Sequence, residues 1–177
     1  MKIKVTFILF LVHASIFTSL GQEDPFLRDF LERWDNSKSY FLAVAEAMPE
    51  EKYHEKIYEE GMSFAEQLLH AAMIIDWHAF SKFDGRESAI RWEEFKPKGK
   101  TKQEMIRMAE SQFDRAKKLI ATFDPERLEE KGSYADFTRT RRQFLLLLAD
   151  HVSHHRAQMI VYLRLQKIKP PNYINYQ

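Results

Sequence analysis

Glycine and proline stand only at the joints of this chain. The five glycines (Gly21, Gly61, Gly85, Gly99, Gly132) and six prolines (Pro25, Pro49, Pro97, Pro125, Pro170, Pro171) all lie outside four long stretches, 26–47, 63–82, 102–123 and 138–167. Glycine weakens a helix interior through backbone entropy, and proline through its missing N–H and its ring. Their exclusion therefore predicts four long helices. Start signals agree: Ser63-Phe-Ala-Glu66 and Thr101-Lys-Gln-Glu104 have capping-box spacing, and Asp24-Pro25 supplies an N-cap followed by proline at the first helical position. No run of alternating β-branched residues suggests a sheet. The third stretch carries Met105, Met108, Phe113, Ala116, Leu119, Ile120 and Phe123 at three- and four-residue steps, which predicts one buried face. The second is apolar around most of its circumference and should be the most enclosed. The expected fold is all-α, a four-helix bundle. The connections 48–62 and 83–101 exceed the usual bundle loop and are expected to cover one end and shape a pocket there.

Residues 1–21 read differently. Lysines at 2 and 4 precede an apolar run from Val5 to about Phe17, and the small residues Ser19 and Gly21 follow. This is the order of a secretory signal peptide cleaved between Gly21 and Gln22. The run is shorter than the roughly 20 residues of a membrane span and is interrupted by His13 and Ser15. The expectation is a mature domain, 22–177, exported to the periplasm or the extracellular space with no stable membrane anchor.

Charge and cysteine narrow the chemistry. The 27 basic residues nearly balance the 26 acidic ones, so the basic footprint of a nucleic-acid-binding protein is missing. With no cysteine there is no disulfide, thiolate metal site or cysteine nucleophile. A metal would have to be held by His, Asp or Glu.

Three of the seven histidines crowd into the fourth stretch, at 151, 154 and 155. At about 100° per residue, His151 and His155 fall in the middle of the apolar face with Phe144, Leu148, Met159 and Tyr162, and His154 falls at its edge. Two imidazoles one turn apart can point at one ion with nitrogen–metal distances of about 2.0–2.1 Å. A third ligand must come from another helix. His70 is the leading candidate and His78 its competitor; about 12 Å of helix separates them, so they cannot share an ion. Glu66, one turn before His70, could orient its imidazole or serve the N-terminal cap, and the cap is the better reading. All of these histidines could equally be hydrogen-bonded core residues.

The run His151-Val-Ser-His154-His155-Arg156-Ala157-Gln158, with Leu163-Arg164 and Pro170-Pro171 beyond it, resembles the signature of the DinB/YfiT-like superfamily, whose last long helix reads H-x-x-H-H-R-G-Q. Ser63 to His70 is similar to that family's S-x-x-E-x-x-x-H element, and Trp34 and the Met48–Tyr53 segment (MPEEKY) match as well. The resemblance spans about 26–171. It implies a four-helix bundle holding one divalent metal ion, zinc or nickel, through His70, His151 and His155, with an open coordination position. Relatives include thiol-dependent S-transferases and isomerases, and many form homodimers. Ala157 replaces the family's glycine, and the signal peptide removes this chain from the cytoplasm, where low-molecular-weight thiols mainly reside.

Two functions follow as expectations. The first is an exported metal-dependent hydrolase or S-transferase-like enzyme acting on an unidentified small molecule; the second is a non-enzymatic metal- or ligand-binding bundle of the cell envelope. No catalytic acid or base can be named. Gln158 could hydrogen-bond a ligand at the metal or tie two helices together. Trp34 and Trp77 could line a pocket mouth or belong to the core. Arg156 points away from the histidine face, toward a salt bridge or a dimer contact. Lys96, Lys98, Lys100 and Lys102 read as a solvated basic patch.

Overall fold

A computed structural model describes residues 24–177; the signal-peptide reading of 1–21 lies outside them. Four helices form the body: α1 (Pro25–Ala47), α2 (Phe64–Trp77), α3 (Lys102–Ala121) and α4 (Arg141–Leu165). Among the described residues no helix is long and apolar enough to cross a membrane.

The helix starts follow the local chemistry. Asp24 accepts from the Leu27 N–H at 3.0 Å ahead of Pro25. Ser63–Glu66 and Thr101–Glu104 form complete capping boxes. A third box, Thr140 with Gln143, starts α4. Each satisfies backbone donors that have no partner inside the helix.

The structure departs from the sequence expectation in three places. A two-stranded antiparallel hairpin, β1 (Lys131–Tyr134) and β2 (Phe137–Thr140), precedes α4 where no sheet was predicted. Its strands are too short for alternation to register. Its turn, Ala135-Asp136, carries a positive φ of 47° at Ala135 and lacks the usual Asn-Gly signal. Consequently α4 begins at Arg141 rather than 138. Finally, the end of the second stretch is not α-helical: His78–Asp84 widens into a π-helical turn. That turn closes on Gly85, whose φ of +81° most side chains would avoid.

The helices bury one continuous core. As its pattern predicts, α2 is the most enclosed, with Phe64, Ala65, Leu68, Leu69, Ala71, Ala72 and Ile75 fully covered. Between α1 and α3, Trp34, Phe41 and Phe113 interlock, with ring centroids 4.9 Å apart for Trp34–Phe113 and 5.4 Å for Phe41–Phe113. The 83–101 segment lies against α2 and α3. Buried Asp76 accepts from Ser88 Oγ at 2.7 Å and pairs with Arg115 at 2.7 Å, while Phe95 inserts into the core.

Candidate metal centre

Helix α2 carries Gln67 and His70 on the side facing α4, and α4 presents His151 and His155 one turn apart. The capping box at Ser63 sets the start of α2, and Leu148, Val152 and Met159 seat the histidine face of α4 in the core. The three imidazoles meet in this seam. Ring centroids are 4.5 Å apart for His151–His155, 4.7 Å for His70–His155 and 5.4 Å for His70–His151. One nitrogen from each lies within 4.8 Å of the other two.

The donor set fits one metal ion. His155 Nδ1 donates to Gln67 Oε1 at 2.5 Å, which leaves its Nε2 with a free lone pair. That Nε2 lies 3.2 Å from His151 Nε2. Two imidazole nitrogens on one tetrahedral ion stand about 3.3 Å apart, so the pair already has the spacing of neighbouring ligands. Burial disfavours the charged form throughout. The pKa of His155 falls to about 3, through burial and then His151 and His70; that of His151 falls to about 4, through burial and then His70 and His78. His70 is lowered too, by burial and His154. At neutral pH the cluster is uncharged, and neutral imidazole is the form that ligates a metal. His70, His151 and His155 can therefore hold a metal ion.

The other singled-out residues separate clearly. Gln158 ties helices: its Oε1 accepts from Gln67 Nε2 at 2.5 Å and its Nε2 donates to His154 Nε2 at 2.6 Å. A hydrogen-bonded chain thus runs from exposed His154 through Gln158 and Gln67 to His155. Glu66 is a cap, accepting from the Ser63 N–H at 2.6 Å. Trp34 is core; it is 1% exposed and donates from Nε1 to the Phe113 carbonyl at 3.1 Å. Trp77 stands nearer the cluster, edge-on to His78, Trp92 and Tyr134. Among the described residues Arg156 forms no salt bridge: it donates to Ser37 Oγ at 3.0 Å and lies over the Tyr40 ring. In the basic patch, Lys102 is anchored to Glu46, while Lys96 and Lys98 edge a surface cavity of about 640 Å³ with His54, Ser63 and Glu66. The 48–62 and 83–101 connections both contribute to that cavity.

One residue with a direct bearing on the cluster escaped the sequence reading, and a second was weighed there only as a ligand. Gln67 holds the outer nitrogen of His155, and its signal was available: a polar side chain in the most apolar helix, facing the same seam as His70. His78, the competitor of His70 in the sequence reading, is 6% exposed and stacks beside His151.

A family model described as the DinB family matches residues 20–173. Among solved structures, a DinB-like protein (YjoA) from Bacillus subtilis matches with a TM-score of 0.66 at 20% identity, over 82% of this chain and 97% of that one. At that identity the likeness speaks for the fold. No curated protein matches the sequence.

Proposed function

Because the chain belongs to the DinB family, we propose that it is an exported metal-dependent enzyme in which His70, His151 and His155 hold one divalent ion, zinc or nickel, against a small-molecule substrate. The observation that carries this reading is the convergence of three neutral ring nitrogens, one from each histidine, within 4.8 Å. Three protein ligands leave an open position, the arrangement of catalytic rather than structural sites. When bound, such an ion supplies Lewis-acid polarisation of a substrate and lowers the pKa of a nucleophile, water or thiol.

The chain's own residues prepare the site. Burial keeps the imidazoles uncharged. Gln67 Oε1 accepts a hydrogen bond from the Nδ1–H of His155 and so aims its Nε2 inward. Gln158 holds Gln67 in turn, and His154 closes this chain at the surface. Leu148, Val152 and Met159, on the same helix as His151 and His155, are fully buried in the core.

The test is metal content by elemental mass spectrometry on mature protein isolated from its native host, beside a His151→Ala/His155→Ala variant. About one divalent ion per chain, lost in the variant, is the expected result, with an intact-mass N-terminus at Gln22. Metal-free wild type that also fails to take up zinc or nickel overturns the reading. A loaded protein that turns over neither activated esters nor a thiol with an electrophile supports the non-enzymatic binding role instead.

A further inference from the structure

The two α4 histidines of the cluster are held unequally. His155 has its outer nitrogen fixed by Gln67. His151 has its Nε2 turned toward His155, yet its Nδ1 is buried without a hydrogen-bond partner. A metal-ligating histidine almost always donates its other ring N–H, because that bond fixes tautomer and ring orientation. A second orphan lies beside it. His78 Nδ1 is also buried and unpartnered, and the His78 ring stacks on His151 with centroids 6.1 Å apart and planes 24° apart. Two unpaired imidazole nitrogens are rare in a core where nearly every other buried polar side-chain atom is bonded.

The place where His78 sits is itself unusual. It opens the π-helical turn that interrupts the second helical stretch, and such turns concentrate at functional sites. Its ring is wedged among Trp77, Tyr134 and His151. Tyr134 is pinned in turn: Lys82 lies over both the Trp77 and Tyr134 rings and donates to the Ser133 carbonyl. The π turn and the hairpin together aim His78 at His151.

We infer that His78 is a positioning residue for His151, its Nδ1 accepting through one bridging water the hydrogen bond that His151 Nδ1–H donates, as Gln67 accepts from His155. A single water between the two rings would satisfy both buried nitrogens at once. It also sets the tautomers: His151 carries its proton on Nδ1, leaving Nε2 free for the ion, and His78 carries its proton on Nε2. The inference rests on the three-histidine reading above and deepens it, since His78 acts through His151 and touches no ion itself.

The experiment is a competition titration of zinc, with cobalt(II) as a spectroscopic stand-in, on full mature protein carrying His78→Phe or His78→Gln, beside wild type. His78→Phe keeps the aromatic volume and removes the acceptor; the expected result is a 10–100-fold rise in the zinc Kd. His78→Gln restores an acceptor and should recover most of that loss. The cobalt spectrum should keep its ligand-field bands in both variants, and melting of the chelator-treated proteins should show both fold. Wild type that binds zinc beside a His78→Phe variant of equal affinity overturns the inference and leaves the metal centre standing. Loss of cobalt bands in both variants makes His78 a ligand and overturns the inference too. Wild type that binds neither metal removes the centre, and the inference with it.

Discussion

The α1/α3 seam and the α2/α4 seam belong to one bundle and obey opposite rules. Between α1 and α3 the contact is aromatic and complete: Trp34, Phe41 and Phe113 interlock, and the polar atom among them, Trp34 Nε1, is bonded to the Phe113 carbonyl. Outside it, Lys38 pairs with Asp114 and Lys117 with Asp35, both at 2.7 Å. Between α2 and α4 the same kind of helix face carries Gln67, His70, His151, His155 and Gln158, with one nitrogen of His151 left unpaired. Apolar packing would serve stability better there. The contrast separates the seam that holds the fold from a seam that departs from good packing and whose three histidines could hold a metal ion.

Truncation should expose this difference most sharply. Phe113→Ala removes a fully buried ring from the aromatic seam and should cost about 3–5 kcal/mol in denaturant unfolding. His151→Leu, which replaces a ring whose buried Nδ1 has no hydrogen-bond partner by an apolar side chain, should leave metal-free protein as stable as wild type or more so. Equal destabilisation by the two would erase the distinction between the seams.

Acid separates them next. The unfolded chain's imidazoles titrate near 6.5, whereas His155 and His151 are lowered to about 3 and about 4. As pH falls, the unfolded state binds protons first. The stability of metal-free protein should therefore be full above about pH 6.5 and drain away toward pH 4, by at most about 1.4 kcal/mol per pH unit for each histidine. The aromatic seam has nothing to titrate in that window. Unfolding midpoints against pH, with chelator present, should fall steeply for wild type and less so for His151→Leu/His155→Leu.

At Gln67 the effect moves from stability to affinity. Gln67→Leu leaves His155 Nδ1–H without an acceptor and should weaken zinc binding by about 10–100-fold. Gln67→Glu keeps an acceptor and should bind zinc about as well as wild type, by the same competition titration. If the leucine variant binds equally well, the hydrogen-bonded chain from His154 to His155 serves only packing.

Much of this was legible before any coordinates. Four helices followed from where glycine and proline are excluded, and two capping boxes from spacing alone, since both depend on local backbone chemistry. The three histidines followed from helical phase plus a family resemblance; phase alone left His70 and His78 in competition, because facing helices are not neighbours in sequence. The hairpin was invisible because four-residue strands cannot show a period. Arg156 reads as a salt-bridge or dimer-contact residue because a charge on a polar face ordinarily finds such a partner; within the chain it lies against Tyr40 and Ser37, contacts across 116 and 119 positions that no local pattern encodes. The π turn at His78 was hidden because its composition is that of an ordinary helix end.

The smallest effects test whether Glu66 belongs to the seam or only to its helix. Its carboxylate accepts from the Ser63 N–H, and Ser63 Oγ accepts from the Glu66 N–H at 3.2 Å, so both groups are committed to the helix end. Thr101 and Glu104 make the same reciprocal pair at the start of α3, a helix that carries no histidine. Ser63→Ala and Thr101→Ala should each cost about 1 kcal/mol, measured by denaturant unfolding. Their metal affinities should match wild type, because a cap acts on helix ends and both helices remain clamped by the core. A zinc Kd raised in Ser63→Ala but not in Thr101→Ala would instead mean that the cap holds the first turn of α2 in the register that brings His70 to α4, and the polar seam would extend to the helix start.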